Sequence, residues 1–139
     1  MSLESNDKME MHPDFPSGDW EGFYIQINVK YKMECNLEFK NGQIKGGGSD
    51  GIGSFRWNGT YDKETGTVTM TKTYSGAHSV YYKGHADENG IWGTWRIESY
   101  FTGGFHIWPK KQGNENEKEE VNVVEEPIEP EKELVIIKK

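Results

Sequence analysis

Cysteine, proline and long apolar runs are scarce in this 139-residue sequence. A single cysteine, Cys35, excludes an internal disulfide framework. It alternates with apolar residues, which indicates a small core residue. No apolar run approaches the roughly 20 residues of a membrane-spanning helix, and the polar N-terminus lacks the hydrophobic segment of a secretory signal. We therefore expect an intracellular protein, with the cytoplasm as its compartment and no membrane partner.

Positive charge is also scarce, and the formal net charge is −7. The 16 Lys and Arg include one before Trp20 and six after Pro109, and the 23 Asp and Glu include five before and nine after, so the part between holds nine of each sign. A nucleic-acid-binding protein needs a basic face to displace counterions. The sequence therefore predicts no nucleic-acid partner.

Aromatic residues and glycines are concentrated between Trp20 and Pro109. This stretch holds 17 of the 18 Phe, Tyr and Trp and 15 of the 17 Gly, and no proline occurs between Ser17 and Trp108. Aromatics with glycines at bends are typical of short paired strands, and proline is avoided where ladder donors are needed. The Asn41-Gly42 pair between two alternating runs is a strong hairpin signal.

The alternating pattern predicts eight strands and no helix. The predicted strands are Trp20–Tyr31, Met33–Phe39, Gln43–Lys45, Ile52–Tyr61, Thr67–Tyr74, His78–His85, Ile91–Ile97 and Gly104–Trp108. Because closure removes unpaired edges, they predict an all-β fold, a single antiparallel up-and-down (meander) eight-stranded β-barrel. We expect residues 1–17 to be a disordered acidic lead, residues 18–109 the barrel domain, and residues 110–139 a disordered acidic tail.

Several short pieces of the barrel resemble the avidin/streptavidin family. The matching pieces are Gly18-Asp19-Trp20, Gly59-Thr60-Tyr61-Asp62, Thr67-Val68, Tyr74-Ser75-Gly76-Ala77-His78-Ser79, and Ile91 to Trp95. The resemblance implies an eight-stranded barrel with a ligand site at its mouth, in which Ser79 and Trp95 keep the family's ligand residues. Gly22, Met70 and Tyr81 stand where the family has its asparagine, tryptophan and threonine, so biotin itself is not the expected ligand.

The barrel interior has two interpretations, which the sequence leaves open. Phe55, Trp57, Met70, Tyr82, Trp95 and Phe105 line a ligand cavity or fill the barrel completely, since eight strands leave room for one or the other. Lys72 shares a face with Val68 and Met70, and a buried ammonium needs a partner or water.

Catalytic and metal signatures are weak. His78 and His85 have opposite parity on one predicted strand, so they cannot share a metal site without a third element. Asp50 lies in a glycine-rich stretch and is interpreted either as a carboxylate at the barrel mouth or as a turn residue. An enzyme using Asp50 and His78 is the least favoured hypothesis, and no cofactor or metal is expected.

The tail contains two aliphatic islands beside acidic residues. They are formed by Val121, Val123 and Val124, and by Leu134, Val135, Ile136 and Ile137. Such segments add as strands to the sheet edge of a partner protein, and they resemble SUMO-interacting motifs; the alternative is a solubilising tail.

Together these observations predict a non-catalytic binding module. In the leading hypothesis a small molecule or peptide binds at the barrel mouth near the 46–53 loop, contacted by Trp57, Ser79, Tyr81, Trp95, Asp50 and His78. In the alternative, the chain is a structural or adaptor subunit with a solid barrel, outer aromatics such as Trp92 that dock on a larger assembly, and a tail that wraps a partner.

Overall fold

Eight antiparallel strands follow one another in chain order and close into a barrel, because the last strand pairs with the first. A computed structural model describes residues 9–76, 79–97 and 101–110. The strands are β1 (Gly18–Gln26), β2 (Val29–Lys40), β3 (Gln43–Asp50), β4 (Ser54–Tyr61), β5 (Thr67–Tyr74), β6 (Ser79–Asp87), β7 (Gly90–Ile97) and β8 (Phe101–Pro109). The predicted fold class, an antiparallel eight-stranded meander barrel, is confirmed. None of the described residues form a helix long and apolar enough to cross a bilayer.

The first hairpin differs from the prediction. A two-residue turn at Ile27 and Asn28, with φ angles of 49° and 65°, separates β1 from β2. The prediction of one strand from Trp20 to Tyr31 is therefore wrong, because a β-branched residue such as Ile27 gives no signal for positive φ. Within β1, Trp20 belongs to the cluster of buried residues that forms the barrel core. Phe23 is also buried, but it is not part of that cluster.

The glycines of β3 lie within a strand rather than in the predicted loop. Gly46 and Gly48 pair with Leu37 and Cys35 of β2. A Cβ on either glycine would collide with the β2 backbone, so the close approach of these strands requires glycine. The connection between β3 and β4 is consequently reduced to residues 51–53.

Residues 9–17 pack against one end of the barrel, although the sequence pattern predicts a disordered lead there. Phe15 is fully buried, and its ring centroid lies 4.7 Å from that of Tyr61. The backbone N–H of Glu10 donates to the carbonyl of Phe39 at 2.7 Å. We call this the Phe15 end, and the opposite end, where β1 finishes, the Gln26 end. The division into lead, barrel and tail otherwise stays a prediction, because residues 1–8 and 111–139 lie outside the described residues.

The barrel interior is filled by large side chains from every strand. The six residues predicted to line or fill it are all buried: Phe55, Trp57, Met70, Tyr82, Trp95 and Phe105. The rings of four of them, Phe55, Trp57, Tyr82 and Phe105, meet edge to face, as in the Trp57–Tyr82 pair at 4.9 Å between centroids. Such packing gives aromatic pairs their preferred geometry, and it leaves little open volume in the described part of the barrel.

Candidate functional site

A buried ion pair lies inside the barrel near the Gln26 end. The Lys72 ammonium is 2.8 Å from Oδ2 of Asp50, and the side chains are 1% and 0% exposed. The Tyr74 hydroxyl donates to the same carboxylate oxygen at 2.7 Å and lies 3.1 Å from the Lys72 ammonium. Both interior charges are therefore paired, as burial requires.

The position of Asp50 at the end of β3 explains how one carboxylate serves two purposes. Oδ1 of Asp50 accepts the backbone N–H of Ile52 at 2.9 Å, which closes the 51–53 turn. Oδ2 points inward to Lys72 and Tyr74. Both sequence interpretations of Asp50, turn residue and interior carboxylate, agree with this geometry.

Aromatic rings surround the Lys72 ammonium. Its nitrogen lies 4.6 to 5.7 Å from the ring centroids of Tyr24, Phe55, Trp57, Tyr74 and Tyr82. Burial by itself would lower the pKa of Lys72, but its interactions with Asp50 and Tyr82 together outweigh burial, so the pKa lies above its usual value. Burial, reinforced by the charge of Asp50, raises the pKa of Tyr74 well above its usual value. The lysine is thus held as a cation and is unsuited to act as a base at neutral pH.

A small cavity lies next to this cluster at the Gln26 end. It has a volume of about 20 Å³, whereas small-molecule sites usually have roughly 300–1,000 Å³. This is room for about one water molecule. Gln26 borders the cavity, is 7% exposed as a residue, and its side chain makes no hydrogen bond to any described residue. The lining residues are Tyr24, Gln26, Ile52, Tyr74, Val80, Tyr82, Trp95 and Ile97.

Two of the predicted ligand residues, Trp57 and Trp95, lie inside the barrel. Trp57 is fully buried and packs on the ion pair. Trp95 borders the small cavity and donates its Nε1–H to the carbonyl of Ile25 at 2.9 Å. With Asp50, these residues form one interior cluster.

Tyr81 and Ser79 do not join this cluster. Tyr81 is 50% exposed, because the interior residues of β6 are the even-numbered Val80 and Tyr82. The predicted position of Tyr81 in the lining is therefore wrong. Ser79 lies on the same outer parity, with its hydroxyl 3.2 Å from that of Thr73. His78 lies outside the described residues, as do the tail residues Val121, Val123, Val124, Leu134, Val135, Ile136 and Ile137.

Sequence reasoning missed Gln26 and Tyr74 as partners in this region. The signal for Tyr74 was present, since Lys72 shares its parity on β5 and a buried ammonium needs oxygen partners. Gln26 had no such signal, because the hairpin turn that places it at the barrel end was not predicted.

A second candidate surface lies on the outside of β6 and β7. We define the outer strip by its six residues: Tyr81, Lys83, His85, Trp92, Thr94 and Arg96. They face each other across the two strands as the pairs Tyr81–Arg96, Lys83–Thr94 and His85–Trp92. Trp92 is 46% exposed, and the Arg96 guanidinium lies 6.0 Å from the Tyr81 ring centroid.

The outer strip is electropositive. Strands β5 to β8 contain a single acidic residue, Asp87, which accepts the Trp92 indole N–H at 3.3 Å. Lys83 and Arg96 have no carboxylate partner among the described residues. The strip therefore combines exposed aromatic area with two cations and one neighbouring carboxylate, Asp87.

Other features of the described residues add no catalytic arrangement. A shallow concavity of about 650 Å³ lies at the Phe15 end, between residues 9–11 and the turns at 41–42 and 62–64. Within residues 9–76, 79–97 and 101–110, histidine, cysteine and carboxylate side chains form no group of three that could hold a metal ion. Cys35 is buried, and this burial raises its pKa to about 11, so its thiol is poorly suited to nucleophilic chemistry.

Comparison of the chain with models of known protein families, with curated proteins and with solved structures gave no match. The protein is therefore classified by its fold alone, as a closed eight-stranded barrel.

Proposed function

We propose that this chain is a non-catalytic binding module, a structural or adaptor subunit whose barrel is a packed scaffold. Its partner is a protein that docks on the outer strip. The observation that carries the proposal is the filled interior: the cavity that the described residues form beside the ion pair at the Gln26 end has a volume of about 20 Å³. A scaffold of this kind binds its partner through residues on its outer surface.

Opening the interior would be costly, and this supports an external site. A ligand of ordinary size would have to displace Tyr82 or Trp95, which pack directly on the cluster around Lys72. Separating Lys72 from Asp50 would leave an uncompensated buried charge, which costs about 3–5 kcal/mol. The outer strip needs no such rearrangement.

The residue types of the outer strip favour protein docking. Trp, Tyr and Arg are the residues that most often dominate binding energy at protein interfaces. Tyr81, Trp92 and Arg96 are all exposed on neighbouring strands. They form one continuous surface, as a docking site requires.

The tail adds a second contact in this proposal. A closed barrel has no free sheet edge, so a strand-like segment cannot extend the barrel's own sheet. The aliphatic islands at 121–124 and 134–137 would therefore add to the sheet edge of the partner. The tail and the outer strip would then hold the same assembly.

Quantitative affinity purification with the full chain as bait tests the proposal. Tyr81→Ala/Trp92→Ala should lose at least about 90% of the partner, because truncating central aromatic anchors commonly costs 2 kcal/mol or more. The matched control is Ile27→Ala, which removes a side chain that is 75% exposed at the Gln26 end, and it should retain the partner.

Retention of the partner by Tyr81→Ala/Trp92→Ala would contradict docking on the outer strip, and loss of the partner by Ile27→Ala would place the contact at the Gln26 end. Thermal melts of each variant should match the wild type, because all three side chains are exposed, so a loss of binding cannot be attributed to unfolding.

A second candidate function, binding of a small ligand at the Gln26 end, is favoured by one observation. Gln26, a polar residue that is 7% exposed, borders a cavity, and its side chain makes no hydrogen bond to any described residue. The resemblance of the barrel to avidin/streptavidin points to the same end, through Trp95. In this candidate the ligand would be a very small polar molecule.

Isothermal titration with biotin tests the part of this candidate that rests on the avidin/streptavidin resemblance. Biotin should bind weakly or not at all, since the cavity is far smaller than the molecule. Submicromolar binding of biotin that is abolished by Gln26→Leu would establish the mouth as the functional site and overturn the packed-scaffold proposal.

A further inference from the structure

The outer strip carries two cations, Lys83 and Arg96, and a single carboxylate, Asp87, lies beside it at the end of β6. The exposed Lys83 and Arg96 lie on β6 and β7, and the single acidic residue of β5 to β8, Asp87, lies at the end of β6 beside Trp92. An extended chain that docks here would meet two cations and two aromatic rings within one strand length. Its complementary chemistry is a run of carboxylates with interspersed aliphatic residues.

This chain carries such a segment in its own tail. Residues 115–126 contain six glutamates against one lysine, which is a net charge of −5, and three valines. The barrel itself has balanced charges, so this segment is the strongest local excess of negative charge in the sequence. Its glutamates are opposite in charge to Lys83 and Arg96, and its valines are apolar partners for the exposed aromatic rings of the outer strip.

The tail begins at the end of the barrel where Trp92 of the outer strip lies. The backbone N–H of Lys110 donates to the carbonyl of Asp19 at 2.8 Å, so the chain leaves β8 at the Phe15 end. Strand β7 neighbours β8 and starts at that same end, close to Trp92. The five residues from Lys110 to Glu115 reach up to about 17 Å, and residues 115–126 span up to about 40 Å. The strip itself is about 13 Å long.

We infer that residues 115–126 dock along the outer strip of the same chain, with glutamates on Lys83 and Arg96 and valines on Trp92. The inference rests on the proposed function, because it makes the tail an occupant of the partner's docking surface. Exposed ion pairs are individually weak, but attachment through a short linker gives an effective concentration on the order of millimolar. In this inference the tail and a partner compete for the same strip.

Zero-length carbodiimide cross-linking of the full chain tests this contact, because it joins lysine amines to carboxylates that touch. Mass spectrometry of the monomer should find links from Lys83 to residues 115–126. The matched control is Lys45, an exposed lysine on the outside of β3, away from the strip. Links at Lys83 should exceed those at Lys45 at least about fivefold at low salt and fall as salt screens the pair.

Charge reversal in the full chain gives an independent readout. In wild type, raising the salt from about 50 to 500 mM should move the Trp92 indole NMR signal as the tail is released. Lys83→Glu/Arg96→Glu should abolish this movement. Lys45→Glu/Arg56→Glu makes the same change of charge on the outside of β3 and β4, and it should leave the movement intact.

Three results would overturn the inference: equal linking of Lys83 and Lys45, an indole signal that ignores both salt and charge reversal, or links found only between two copies of the chain. Failure here is distinguishable from failure of the proposed function. Loss of the partner on Tyr81→Ala/Trp92→Ala is measured separately and does not depend on where the tail lies.

Discussion

Removing one charge of the buried ion pair gives the sharpest stability prediction. Asp50→Asn keeps an oxygen for the 51–53 turn but removes the carboxylate charge that faces Lys72 at 2.8 Å. The lysine side chain is 1% exposed, so its ammonium would remain buried without a counter-charge. Breaking such a pair costs about 3–5 kcal/mol, a large share of the roughly 5–15 kcal/mol of a typical domain.

Removing both charges should restore most of the lost stability. In Asp50→Asn/Lys72→Met, an unbranched apolar side chain of similar length lies among the same aromatic rings. Replacing a buried ion pair with apolar groups is often neutral or stabilising, so the double variant should lie within about 1 kcal/mol of wild type or above it. The free energy of unfolding of the double variant would then be far higher than the value obtained by adding the effects of the two single changes.

Denaturant unfolding followed by tryptophan fluorescence measures these free energies. The control is Glu34→Gln, which removes an exposed partner 3.3 Å from Lys32 and should cost less than about 1 kcal/mol. If Asp50→Asn costs as little as this control, water reaches the Lys72 ammonium and the reasoning about a dry interior is wrong.

Three further outcomes are expected. Stability should fall as pH rises above about 8.5, the ordinary pKa of a thiol. In the folded protein the pKa of Cys35 is raised to about 11 and that of Tyr74 well above its usual value, so the unfolded chain loses these protons at lower pH than the folded chain does. A melting temperature that stays constant from pH 8 to pH 11 would contradict this prediction. Phe15→Ala should cost about 3–5 kcal/mol because the ring is fully buried, whereas Met11→Ala, at an 85% exposed side chain, should stay within about 0.5 kcal/mol; equal effects would mean that the lead does not pack on the barrel. Trp95→Ala should also cost about 3–5 kcal/mol if it is a core residue, and a loss near 1–2 kcal/mol in denaturant melts would instead indicate a lined pocket.

The fold was predictable because its strongest signals are local. The alternation Thr67 to Tyr74 gave a strand with the observed bounds, and Asn41-Gly42 marked a turn in which both residues have positive φ. The turn at Ile27 and Asn28 escaped because isoleucine favours strands. The packing of residues 9–17 on the barrel was not predicted, because one buried ring, Phe15, holds this polar segment through contacts that are distant in sequence.

The candidate site was predictable only in part. Parity on β5 placed Lys72 inside, but the sequence does not show which carboxylate it meets, since Asp50 is 22 residues away. Tyr81 was assigned to the interior through an alignment with another family, and the alternation of β6 places it outside. Whether a barrel interior is filled or open depends on how side chains of eight strands interlock, which no local pattern encodes.

The packed interior is the central claim, and a high-resolution crystal structure of the purified full chain tests it most directly. We expect Lys72 paired with Asp50 inside a closed set of aromatic rings, and no more than about one ordered water beside Gln26 in the cavity of about 20 Å³. An interior space of several hundred Å³, or a bound organic molecule displacing Tyr82 or Trp95, would contradict the account and make the barrel mouth the functional site.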